Sequence, residues 1–275
     1  MQRALQEILE YRGVEGLVAA EVLTDDDDNG YTTGDVFAVA GVAEISKTTD
    51  SSNEAHYYDN IPAVIVSNTA SDEVTINTSA IPLDVLAEIT GQNYDSSTGA
   101  MIEGPRDFKY FALGYRTKKT NGDEMFVWRY KGTFNIPDQT NTTENDSTDA
   151  NGQELVYTGI STTHKFTKTG KGSKAMVVDT AKNLADVSAF FDTVVTPDTL
   201  TGNTSYKLTI NQAANTTVTV KRGNVTLANN ADIYAGDRLT ISVVGGTVTV
   251  NSNAWMSGDI HVVTGNVAVV STATP

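Results

Sequence analysis

Between Phe108 and Phe134 the chain reads FKYFALGYRTKKTNGDEMFVWRYKGTF, two alternating runs on either side of Asn121-Gly122. Asn-Gly is the pair favoured in a two-residue type I′ turn, whose central residues both need positive φ, so the stretch predicts a β-hairpin. With Asn121 and Gly122 at the turn centre, Tyr115 should face Trp128, Leu113 should face Tyr130 and Phe111 should face Gly132. One face is then largely aromatic. The opposite face carries Tyr110, Ala112, Gly114, Arg116 and Lys118, with Met125, Val127, Arg129, Lys131 and Thr133 on the second strand. A basic face of this kind is either a solvated sheet surface or a docking surface.

Charge along the chain is unevenly spread. The net charge is −15 over 275 residues, which disfavours ordinary nucleic-acid binding, because phosphate contacts need Lys and Arg. Residues 1–104 hold 19 acids against 3 bases, a balance of −16, whereas 105–200 hold 12 of each and 201–275 hold 3 acids and 4 bases. Acidic surface from the first segment could therefore meet the basic hairpin residues Arg116, Lys118, Arg129 and Lys131 on a neighbouring copy. The acidic partners expected are Asp25, Asp26, Asp27 and Asp28 with other acids of that segment. No run of about 18 apolar residues occurs to span a bilayer, and the first residues lack the apolar core and cleavage site of a signal peptide.

In order along the chain, ALQEILE (4–10) has helical spacing and is expected to form an arm that docks on a neighbour. Leu17–Leu23 reads as a strand that leads into DDDDNGYTTG. Asp25, Asp27, Asn29 and Gly30 match the early positions of a calcium loop, but Val36 stands where the closing Glu belongs. An exposed acidic hairpin tip is the better expectation. Val36–Ser46 reads as a strand or a bulged pair, with Gly41 as the bulge, and strands follow at Ala55–Tyr58, Ala63–Ser67 and Glu73–Asn77. IPLDVLAEITG predicts a short helix that starts after Pro82 and stops at Gly91. A loop at Tyr94–Gly104 leads to the hairpin. Beyond it, residues 139–153 are polar, a long strand is expected over Glu154–Thr167, and a turn over Lys168–Lys174. A strand at Met176–Val178 and a second helix over Asn183–Val194 complete this part. Turn formers around Pro197 mark a boundary between domains 1–198 and 199–275. The second is Thr-, Val- and Asn-rich with about seven alternating strands, the pattern of a small immunoglobulin-like sandwich.

Chemistry-bearing constellations are not assembled. Zero cysteines removes disulfides, thiolate metal sites and cysteine nucleophiles. His56, His164 and His261 have no ligand-spaced carboxylate, and no G-x-S-x-G elbow or phosphate loop occurs. Adjacent aspartates at a loop tip repel one another and are no buried catalytic dyad. Sequons at Asn141, Asn145, Asn203, Asn215 and Asn224 carry no weight without a secretion signal. The expectation is a non-enzyme with no cofactor and no metal.

Four stretches together resemble the phi13-type family of major tail, or tail tube, proteins of long non-contractile-tailed bacteriophages. They are GVEGLVAAEVLTDDD with YTTGDVFAVAGVAEIS, IPLDVLAEITGQ, FALGYR with FVWRYKGTF, and AKNLADVSAFFDTVVTPD, covering about residues 13–199. The resemblance implies a mainly β fold: a tail-tube sandwich or barrel with one or two short flanking helices, followed here by the immunoglobulin-like domain as an outer decoration. It also implies hexameric rings that stack into a tube conducting DNA, in the virion. Partners would be further copies of the chain, the tape-measure, tail-terminator and distal tail proteins, and genomic DNA passing an acidic lumen without specific binding. No membrane is expected, and contact with a host surface by 199–275 is a hypothesis. The alternative is a surface adhesin or carbohydrate-binding β-protein.

Overall fold

The computed structural model describes residues 9–58, 61–138 and 152–274. The chain is mainly β and divides into two compact units, Met1–Asp179 with Val187–Leu200, and Thr180–Asp186 with Thr201–Pro275. The short stretch 180–186 belongs with the second unit, although it precedes the boundary expected at 198/199.

The first unit contains β1 (Tyr11–Asp26), β2 (Gly30–Thr33), β3 (Phe37–Ala38), β4 (Val42–Tyr58) and β5 (Ile61–Thr78). Next come α1 (Leu83–Thr90), β6 (Asn93–Asp95), β7 (Ala100–Ile102), β8 (Phe111–Lys119), β9 (Glu124–Phe134), β10 (Gln153–Ile160) and β11 (Ala175–Asp179). The main sheet runs β2-β1-β8-β9-β10-β5-β4, with β11 added to β9 and β3 to β1. β1 and β4 approach each other, so the sheet curls into a nearly closed barrel. Its interior is filled by Leu17, Val74, Ile76, Phe111, Leu113, Tyr115, Phe134, Leu155 and Tyr157. α1 lays Leu86 and Ile89 on this core. Gly91 ends the helix at φ 68° and donates its N–H to Glu88 O, as the sequence predicts.

The hairpin exists, but its register differs from expectation. Phe111 does face Gly132, yet Leu113 pairs with Arg129, Gly114 with Trp128 and Tyr115 with Val127. The cause is the turn: Lys119 N–H donates to Asp123 O, leaving Thr120, Asn121 and Gly122 as a three-residue loop. Only Gly122 takes positive φ (+92°), which is the arrangement of a type I turn closed by a left-handed residue. A bulge in β9 opposite Ala112 restores the Phe111–Gly132 pair.

A one-residue slip exchanges the faces of a strand. Trp128 now lies over Gly114, where an added Cβ would sit 2.7 Å from Val18 and 2.8 Å from the indole. The predicted division into an aromatic and a basic face therefore fails. Phe111, Leu113, Tyr115 and Val127 enter the barrel core, while Phe126, Trp128 and Tyr130 face away from it. That outer face is buried as well. Phe190 and Phe191 stack on Phe126, Trp128 Nε1–H donates to Phe190 O at 2.9 Å, and the Tyr130 hydroxyl donates to Val195 O.

The helix expected over 183–194 is a run of turns with bonds such as Phe190 N–H to Val187 O. Successive helical side chains diverge by about 100°. Phe190 and Phe191 both reach the Phe126 ring, which that divergence would prevent. Other differences are of length. Gly41 lies between β3 and β4 and is not a bulge inside one strand. The strand expected over Glu154–Thr167 ends at Ile160, and the loop at Tyr94–Gly104 contains the small β6–β7 hairpin. The segments at Val42–Ser46, Ala55–Tyr58, Ala63–Ser67 and Glu73–Asn77 are pieces of two long strands. The arm expected over 4–10 lies mostly outside the described residues.

The second unit contains β12 (Ser205–Asn211), β13 (Thr217–Arg222), β14 (Val225–Leu227), β15 (Asp232–Tyr234) and β16 (Arg238–Val244), then β17 (Gly246–Val250), β18 (Asn253–Trp255), β19 (Ile260–Val262) and β20 (Val267–Ala273). They form a five-stranded sheet, β15-β12-β20-β17-β18, and a four-stranded one, β14-β13-β16-β19. Leu208, Val248, Val250 and Val269 from the first share one core with Val220, Leu239 and Ile241 from the second, so this unit is a β-sandwich.

Candidate assembly surface

Seven of the eight charged residues singled out in the sequence hold side-chain partners within one chain, and the eighth, Asp28, lies exposed at the tip. Arg116 and Lys118 project together and converge on Glu15, at 3.0 and 2.6 Å, with Glu124 beside them. The Lys118 ammonium, and the Arg116 guanidinium beside it, hold the Glu15 carboxyl below the usual carboxylate range. These two cations are part-exposed.

Arg129 and Lys131 are not available to a partner. Arg129 points into the barrel, 6% exposed, and donates from Nη1 to Asp72 Oδ2 at 2.7 Å. Asp72 also accepts from the Thr49 hydroxyl and lies 3.5 Å from the Lys174 ammonium. Burial pushes the Asp72 carboxyl up, but Thr49, Arg129 and Lys174 outweigh it, so the group stays below its ordinary value. Lys131, brought to the outer face by the β9 bulge, pairs with Asp25 and lies 4.8 Å from the centre of the Tyr110 ring.

The four aspartates are not one exposed cluster. Asp25 is turned inward, its side chain 5% exposed. Besides Lys131 it accepts from the backbone N–H groups of Thr163 and His164. Burial raises its carboxyl, while Lys131 and those two donors lower it further, leaving a net depression. In calcium-loop terms, an ammonium and two amides occupy the place of the cation. Asp26 caps the tip by accepting from Asp28 N–H and Asn29 N–H, and Asp27 pairs with Lys165 at 2.9 Å. Asp28 is exposed. The acids of residues 1–104 do meet the hairpin cations, as the charge distribution suggested, but they do so through Glu15, Asp25 and Asp72 of the same chain.

What the sequence reading missed is the extent of β4 and β5. Val42–Thr49 pairs with Asp72–Thr78, and on its other side this half of β5 pairs with β10. From Ser51↔Thr69 to Tyr58↔Ile61 the two strands pair only with each other among the described residues. The ribbon therefore continues for eight residues, roughly 25 Å, past the last strand that could support it. Among the described residues, no strand pairs with the outer backbone edge of either ribbon strand. An isolated two-stranded ribbon is marginal in water, and a long open edge is a template for strand addition. The available signal was the lack of any Gly or Pro between Val42 and Tyr58; the polar run KTTDSSNE concealed it.

No protein-family model and no curated protein matches the chain.

His56 is exposed on the ribbon, His164 packs on Phe166, and His261 packs on Trp255. Among the described residues no group of three or more His, Asp and Glu is placed to hold a metal ion. Asn203 spends its side-chain amide on Asn183 O and Ala235 O, so that sequon is structural. No described helix is long and apolar enough to cross a membrane.

Proposed function

We propose that the chain is a structural subunit that assembles with copies of itself into stacked rings, the tail tube of a non-contractile bacteriophage tail. The observation that carries this reading is the β4–β5 ribbon. Strand pairing with a neighbouring subunit would satisfy both of its open edges, and closing a sheet around a ring removes edges altogether. The interface is heterologous in this reading, ribbon against a different surface of the next copy, and repetition along an axis then gives a filament. Hexameric rings and a lumen that carries DNA come from the sequence resemblance. An acidic wall suits that role because it repels phosphate and lets a genome slide. The second unit serves as an outer decoration, and its two sheets on one core support an immunoglobulin-like arrangement.

Negative-stain microscopy of the purified full chain, with light scattering over a concentration series, tests the reading. Stacked rings or tubes are expected. Monodisperse single chains at every concentration and salt would sink it and favour the adhesin alternative.

A further inference from the structure

The chain passes between its two units three times, after Asp179, after Asp186 and after Leu200. Residues 187–200 are therefore a loop of the first unit whose two ends continue into the second. The body of the loop is seated on its own unit. Phe190 and Phe191 pack on Phe126, Trp128 Nε1–H donates to Phe190 O, and the Tyr130 hydroxyl donates to Val195 O. The Asp198 carboxylate accepts from the N–H groups of Thr167 and Lys168, each at 2.8 Å.

The ends are held by other residues. Ala185 pairs with Gly202 as an isolated antiparallel bridge, Asp186 N–H donates to Thr201 O, and Asn203 N–H donates to Leu184 O, which closes a stem at the foot of the loop. Two asparagines lock that stem. Asn203 Nδ2 donates to Asn183 O at 3.1 Å and to Ala235 O at 3.0 Å, and Asn183 Nδ2 donates to the same Ala235 O at 2.7 Å. Asn183 takes φ +50°, in the left-handed region that asparagine tolerates better than most residues. Asp237, 3% exposed, completes the lock by accepting from Asn183 Nδ2, Arg222 Nη1 and Tyr234 N–H. The stem is thus built on the turn between β15 and β16, a part of the second sandwich. Bringing the two ends of a loop together costs conformational entropy, and a stem formed by other residues removes that cost from the contacts of the loop itself.

We propose that the second unit works as a clasp: the stem of 183–186 and 201–203, locked by Asn183 and Asn203 on Ala235, holds shut the loop that covers Phe126 and Trp128. Folding of the second unit then completes the outer layer of the first. A chain that lacks it keeps those aromatic residues under a loop with one loose end.

Hydrogen exchange of the full chain tests the clasp. Asn203→Ala removes no contact of the first unit, yet it should raise exchange across 187–200 by about tenfold, the effect of roughly one net hydrogen bond lost from the stem. Exchange there at the natural rate overturns the proposal, because the loop is then seated without its stem. The natural chain gives an independent readout in urea kept below the main transition. Peptides from 187–200 should lose protection at the same urea concentration as those from 201–237. Loss together with β9 instead, at a concentration different from that of 201–237, overturns the proposal even if the Asn203→Ala chain fails to fold.

Discussion

Two strand pairs of the first unit, β8–β9 and β4–β5, have opposite surroundings. β8–β9 is enclosed: strands flank it, the barrel core lies on one face and the Phe190–Phe191 turns on the other. β4–β5 leaves the sheet beyond the Thr49–Asp72 pair and runs on as a bare ribbon, 51–58 against 61–69. Every cation on β8 and β9 meets an acid of its own chain. The enclosed hairpin stabilises the unit, whereas in our reading the bare one joins units together. The difference lies in which backbone edges have neighbours, and composition goes with it: the bare half of β4 is the polar SSNEAHYY, whereas β8 and β9 are rich in aromatic residues.

If that division holds, damage to the enclosed hairpin is felt in the stability of a single chain. Trp128→Ala removes an indole buried over Gly114 and should cost about 3–5 kcal/mol, measured by chemical unfolding. A cost below about 1 kcal/mol would break the contrast. Asp72→Ala leaves the Arg129 guanidinium without its carboxylate and should cost about 3 kcal/mol, read the same way.

Asp25 and Asp72 extend the comparison to pH. Both are depressed in the folded chain, so their stabilising contribution is fully present above the unfolded carboxylate range, near pH 4, and is lost as pH falls through their lower folded values. An acid titration should show unfolding below about pH 4 that is blunted in the Asp25→Asn, Asp72→Asn double variant, since neither amide titrates. Gly122→Ala, at φ +92°, should cost about 1 kcal/mol through backbone strain alone. The smallest effect on a single chain is expected from the bare ribbon. Replacing residues 52–68 with a two-residue turn should move the unfolding free energy by less than about 0.5 kcal/mol, yet abolish filaments in the microscope. A large loss of stability there would show that the ribbon is not free after all.

The sequence made element types legible more readily than neighbours. α1 could be read because Pro82, the spaced Leu86 and Ile89, and Gly91 each act locally. The hairpin could be read from Asn121-Gly122, but its register was not, because a three-residue loop with a downstream bulge uses the same residues as a two-residue turn. Phe190-Phe191 looked helical because spacing cannot reveal that both rings seek one distant partner, Phe126. Among the candidate residues, charge counting set the hairpin cations against acids of the first segment on a neighbouring copy, whereas the ion pairs observed are with Glu15, Asp25 and Asp72 of the same chain. It could not tell that the pairing closes within one chain, since Asp25 is exposed or buried according to where β2 folds back and where the loop at 161–165 lies.

That internal neutralisation has a colloidal consequence. With Arg129 buried against Asp72, Lys131 half-buried against Asp25, and Arg116 and Lys118 shared with Glu15 and Glu124, the hairpin offers little positive field beyond its own chain. In the assembly proposed above, copies carrying −15 each would approach one another against long-range repulsion that the ribbon's short-range backbone contacts would have to overcome. The Debye length falls from about 30 Å at 0.01 M salt to about 8 Å at 0.15 M, so ionic strength should act as a throttle on polymerisation, with dilute buffer holding subunits apart and physiological salt releasing them to elongate.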